Sequence, residues 1–196
     1  MSAIPVSPIA VPWHLPSRGR VAMLSLITGE SAIFTIFVVA YIYYIGKSLW
    51  GPTPQQVLDI PIFNTICLLS SSVTIWLAER EIDRGKMRGF AAWWALTIAL
   101  GAIFIVGTGI EWHKLIYADG LTIRTNLFGT TFYSLVGLHA THVVVGLIGL
   151  SLILLFTLTG HVREEHSERI QVFALYWHFV DAVWVVVFTV VYIVGR

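Results

Sequence analysis

Residues Tyr176 to Trp184 read YWHFVDAVW. They sit inside Ile170–Val194, a run without Lys, Arg or Glu in which Asp181 is the sole acid. An apolar run of that length exceeds the roughly 20 residues a helix needs to cross a bilayer. On a helix, a spacing of three places His178 and Asp181 one above the other, on the side that also carries Ala174, Trp177 and Trp184. In hydrocarbon a polar side chain must find its partner inside the protein. An imidazole that donates to a neighbouring carboxylate meets that demand. The pair is therefore expected either to satisfy itself as a structural unit or to hold a third group jointly.

Working outward, the composition agrees. Of the 196 residues, 57% are hydrophobic and 12% charged, with a mean hydropathy of +0.80. Soluble domains carry about 25% charged residues. Net charge is +1, and no basic cluster with interleaved aromatics points to nucleic acid. Cys67 is the only cysteine, so an internal disulfide or a cysteine metal site is excluded and packing is its expected role.

Five apolar runs are long enough to span: Val21–Gly46, Pro61–Leu77, Phe90–Ile110, Asn126–Gly160 and Ile170–Val194. The expected fold is all-α, a polytopic bundle of five transmembrane helices forming one domain over residues 21–196. Residues 1–20, with Pro5, Pro8, Pro12 and Pro16, read as a surface arm rather than a signal peptide. The connections GKSLWGPTPQQVLDIP, AEREIDRGKMRG, EWHKLIYADGLTIR and HVREEHSER are polar or broken by Gly and Pro. Arg18, Arg20, Arg80, Arg84, Lys86, Arg88, Arg163 and Arg169 would share one side, against Lys47, Lys114, Arg124 and Arg196 on the other. The positive-inside rule then places the N-terminus in the cytoplasm and the C-terminus outside, so the chain is expected in the cell inner (cytoplasmic) membrane. Arg163 and Arg169, beside the last two helices, are suited to phospholipid headgroups, with acyl chains against Phe and Trp side chains such as Phe34 and Trp177.

Several polar groups lie where lipid would be. Glu30 stands well inside the first run and is expected to keep its proton or to be held by a donor. Phe34, Phe37, Tyr41 and Tyr44 fall on its side of the helix. His139 and His142 stand at i and i+3 on the fourth run, with Gly146 and Gly149 continuing the seam and allowing close approach of another element. That pair is open to two readings, a ligand for metal or haem and an interhelical hydrogen-bond station. Glu111 and Trp112 close the third run at an interface, where Trp is common.

These residues resemble a known family. YWHFVDAVW, together with FGTTFYSLVGLHATHVVVGLIG, GESAIFTIFVVAY, PIFNTICLLSSSVT and LGAIFIVGTGIEW, is similar in order to subunit III of the haem–copper terminal oxidases. The resemblance covers nearly all of the chain after Gly19 and fits the five-helix bacterial members. It places Glu30 at the family's buried, carbodiimide-reactive glutamate. The chain departs from the common pattern at Gly29, Thr108, Lys114 and Gln171.

The resemblance implies an accessory subunit with no catalytic residue, metal, haem or copper of its own. Haem and copper would lie in its partners, the catalytic subunit I and the other oxidase subunits. It also implies bound phospholipid, support of proton uptake, and protection of an enzyme that reduces oxygen with cytochrome c or quinol. Glu30 would then lie near a proton path, and His139, His142, His178, Asp181 and Glu111 would be structural polar groups between helices. The alternatives are an accessory subunit of a nitric-oxide reductase, a b-type haem electron carrier using the intramembrane histidines, and a secondary transporter, for which neither repeats nor paired helix breaks are visible.

Overall fold

The computed structural model describes residues 17–48, 50–161 and 167–195. Most of the N-terminal arm, together with Arg163 and Arg196, lies outside the described residues. Five of the described helices are long and apolar enough to cross a membrane. They are α1 (Arg18–Tyr44), α3 (Ile62–Asp83), α4 (Met87–Tyr117), α5 (Leu127–Leu158) and α6 (Ser167–Phe188), with the short α2 (Pro54–Val57) in the first connection. The last helix widens into a π-helical turn over Thr189–Val194.

Two of the helices, α3 and α4, run well past the apolar stretches that mark them. α3 continues through Glu79, Arg80 and Glu81 to Asp83, and α4 continues past Glu111 to Tyr117. Hydropathy marks the part of a helix that lipid covers, whereas Glu, Arg and Lys are themselves good helix formers. AEREIDRGKMRG is therefore mostly helix. Its turn is confined to Arg84–Lys86, where Gly85 adopts φ 71°. α1 starts at Ser17, whose hydroxyl accepts from the Arg20 N–H at 3.3 Å. α5 starts at Asn126, whose side chain accepts from Gly129 N–H at 2.8 Å.

α3 and α4 form a tight antiparallel hairpin, α4 packs on α5, and α6 lies against α3, α5 and α1. α6 is thus the enclosed helix, burying Ala174, Trp177, Val180, Asp181, Trp184 and Val187. α1 is the outermost and buries only Phe34 and Tyr41. Its hydroxyls need no neighbour: those of Ser25, Thr28, Ser31 and Thr35 each donate to the carbonyl four residues back. At one end of the bundle the Arg20 guanidinium donates to Gln171 at 3.2 Å, and the Gln171 amide donates to Asp83 at 3.1 Å, joining α1, α6 and α3. At the other end Asn126 donates to the carbonyls of Trp50 and Pro52, and Lys114 pairs with Asp59.

Candidate functional site

Trp177 occupies the middle of the interior and is fully buried. A methyl group on Gly146 of α5 would stand 2.7 Å from its ring, and one on Gly101 of α4 2.9 Å from it. The small residues of the α5 seam therefore admit side chains of α6, Trp177 at Gly146 and Phe173 at Gly149, rather than a bare backbone. Enclosed in this way, Trp177 faces protein on every side and has no surface for an acyl chain. The indole N–H groups of the three fully buried tryptophans each reach across to another helix. Trp177 donates to Ser71 at 2.8 Å, Trp184 to Thr65 at 3.2 Å, and Trp94 to the Leu150 carbonyl at 2.9 Å.

Around this core the acids and histidines are held at three separate places. In the first, Glu30 of α1 lies 3.1 Å from His142 Nε2 of α5. His142 Nδ1 is 2.8 Å from the Leu138 carbonyl, which only accepts, so Nδ1 carries hydrogen. The remaining contact then needs one proton between Nε2 and the carboxyl oxygen. The pair is neutral overall whichever atom holds it. Phe34 caps it, with its ring centroid 5.0 Å from that of His142.

In the second, Asp181 of α6 meets the serines of α3. Ser72 donates to Asp181 Oδ2, and Ser71 lies 3.3 Å from the same oxygen. His178 Nδ1 is 3.1 Å from Ser72 Oγ, and its Nε2 faces Glu79 at 3.9 Å. His178 and Asp181 are thus joined through Ser72 rather than by a direct hydrogen bond. The reason is geometric: their helix turns toward α3, and a hydroxyl there reaches both side chains.

In the third, Tyr192 donates to Glu111 at 2.9 Å. The π-helical turn carries Tyr192 to this position, and α4 continues past Glu111 so that the carboxyl lies within the helix rather than at its end.

His139 stays apart from all three. It is completely buried, stacked on Trp184 with centroids 5.0 Å apart and edged by Phe104 and Phe34. Neither ring nitrogen has a hydrogen-bond partner within the protein. His142 is committed to Glu30 and His178 to Ser72, so the three intramembrane histidines point to different places and do not converge on one centre. Among the described residues no group of three or more His, Cys, Asp or Glu is placed to hold a metal ion. Arg169 lies at the start of α6 beside a cleft that also includes Arg18 and Glu168. Sequence reasoning passed over Ser71, Ser72, Glu79 and Tyr192. The first two carry a readable signal, a pair of hydroxyls inside an apolar run.

Comparison with known proteins decides what this bundle is. Residues 19–196 match the family model described as cytochrome c oxidase subunit III. The chain belongs to that family. It is 34% identical to the cytochrome c oxidase subunit 3 of Thermostichus vulcanus, over 92% of this chain and 90% of that one. It is 36% identical to the subunit 3 of Synechocystis sp., covering 91% and 76%. A quinol oxidase subunit 3 from Bacillus subtilis is 30% identical, covering 85% and 82%. As a subunit III, the chain is a multi-pass membrane component of a haem–copper oxidase complex, and it contributes to an enzyme only as part of that complex.

Proposed function

We propose that this subunit III is a non-redox accessory subunit. It would stand beside catalytic subunit I of a proton-pumping terminal oxidase that reduces oxygen to water with cytochrome c or quinol as donor. The observation that carries this reading is that its intramembrane acids each meet a different partner. Glu30 meets His142, Asp181 meets Ser72 and Glu111 meets Tyr192, each on another element and with no partner in common. Such an arrangement fastens helices together and leaves the redox chemistry, with its haem and copper, to the partners.

Support of proton uptake is assigned to Glu30, which joins the outermost helix to the bundle and shares its proton with His142. Phospholipid is assigned to the apolar groove between α1 and α6, about 330 Å³, lined by Phe34, Val38, Phe179 and Val183. Arg169 at the opposite, charged end is suited to a headgroup. The cytoplasmic side is assigned to the end bearing Arg18, Arg20, Arg80, Arg84, Lys86, Arg88 and Arg169, by the excess of positive charge there.

The test is to purify the oxidase with and without this chain and follow it through many turnovers. The expected result is an unchanged haem spectrum and initial rate of oxygen reduction, with a shorter active lifetime when the chain is missing. Loss of the initial rate in an otherwise complete complex would overturn the accessory reading.

A further inference from the structure

At the Arg20 end of the bundle a cleft of about 360 Å³ opens between α1, α3 and α6, lined by Arg20, Glu79, Gln171, Val172, Leu175 and His178. His178 forms its inner wall and keeps 35% of its side chain exposed, whereas Asp181, one turn deeper, is 3% exposed. From His178 inward to Asp181 the hydrogen-bonding atoms form an unbroken line, with Glu79 standing just outside it. Glu79 faces His178 Nε2 at 3.9 Å, His178 Nδ1 is 3.1 Å from Ser72 Oγ, and Ser72 donates to Asp181 Oδ2. The line ends at Asp181 Oδ1, a buried oxygen with no hydrogen-bond partner in the protein.

We infer that Asp181 is a proton-exchange site, reached from the Arg20-end cleft through His178 and Ser72. A proton taken up at His178 Nε2 lets the Nδ1 hydrogen pass to Ser72 Oγ, while the Ser72 hydroxyl hydrogen passes to Asp181 Oδ2. One proton enters and one arrives. His178 is again neutral, Ser72 is again a hydroxyl, and Asp181 has become an uncharged carboxylic acid. Release runs the same steps in reverse. The buried end of the line thus alternates between a carboxylate held by serine and a neutral acid whose hydroxyl can turn toward the free side of the group.

Histidine suits the outer position because it offers a separate nitrogen to each neighbour. The groups bearing on the line are Glu79, Ser71 and Ser72 from α3, His178 and Trp177 from α6 itself, and Arg20 of α1 at the mouth. Trp177 donates to Ser71, which fixes that hydroxyl and leaves Ser72 as the mobile link. The relay is a property of this chain and holds whatever donor its oxidase uses.

The experiment follows hydrogen–deuterium exchange of the Asp181 carboxyl by infrared difference spectroscopy on the assembled oxidase in lipid nanodiscs. The Asp181→Asn complex assigns the band. In the wild type, a protonated-carboxyl band belonging to Asp181 should appear on acidification and shift promptly after transfer to D2O. Ser72→Ala and His178→Gln should each slow that shift by about a hundredfold, the scale of losing a positioned proton carrier. His178→Gln keeps a hydrogen-bonding side chain in place, so slowing there reports the lost relay rather than a collapsed fold. Wild-type exchange rates in both Ser72→Ala and His178→Gln would overturn the inference. So would the absence of any protonated Asp181 band through the titration.

Discussion

Tyr192 and Glu111 are joined by a 2.9 Å hydrogen bond that ties the last turn of the chain to the middle helix of the sequence. Tyr192 is almost wholly enclosed and Glu111 has little water to turn to, so neither group has a ready substitute. Tyr192→Phe should therefore cost about 1–3 kcal/mol, the usual penalty for leaving one buried partner unmet. Thermal release of this chain from detergent-solubilised oxidase would report it as a lower dissociation temperature. Glu111→Gln, whose amide oxygen still accepts from tyrosine, should lose less. Equal behaviour of Tyr192→Phe and wild type would show that the bond contributes nothing to holding α6 on α4.

The slot around Trp177 makes an independent prediction. Gly146→Ala places a methyl group against the indole ring, and overpacking of a filled core costs about 1–3 kcal/mol. The same dissociation assay should show the loss, and Trp177→Phe in the Gly146→Ala background should recover part of it by removing the second ring. A double variant weaker than the sum of its two single changes would show that the two sites do not compensate.

Removal of the Asp181 carboxyl leaves Ser72 without the acceptor that binds α3 to α6, while Ser71 keeps the Leu68 carbonyl. Asp181→Ala should reduce the amount of this chain retained in the purified complex, by about 1–3 kcal/mol of lost pairing, while the haem absorption of the partner stays normal. Full retention with a changed haem spectrum would instead make Asp181 a contributor to the cofactor's surroundings.

Glu30→Gln keeps the size and hydrogen-bonding capacity of the side chain beside His142. Oxygen reduction should begin at close to the wild-type rate. The difference should be found in protons moved per electron or in the number of turnovers before inactivation, measured on one reconstituted preparation. Abolished initial activity in a fully assembled complex would place Glu30 on an obligatory path.

Phospholipid in the groove beside Phe34 and Phe179 should be visible as acyl-chain density in a structure determined in native-like lipid. A groove closed by side-chain movement, with no density between α1 and α6, would remove the lipid assignment.

The spans were legible because bilayer thickness imposes a length on apolar runs, and all five runs became helices. Their ends were not, because residues such as Glu79 and Lys114 leave the lipid while remaining helical. The identity of the buried polar groups could be read from single positions, since any acid or histidine inside such a run is conspicuous. Their partners were harder to read. Asp181 looked paired with the histidine nearest in sequence, yet it is held by serines 109 and 110 positions away. Glu30 and His142 were each noticed without either naming the other. A helix position indicates which side a group occupies, whereas only the packing of one helix on another says what it meets there.

The Glu30–His142 contact has a consequence for how the chain is made. The two residues are 112 positions apart. At synthesis rates of about 5–20 residues per second, α1 is complete for roughly 5–20 s before the ribosome has added His142. Throughout that interval its carboxyl has no protein partner from this chain, in a helix that shows almost nothing but apolar surface to its surroundings. Until α5 arrives, the acid inside that span has to be met by something other than this chain, or to keep its proton.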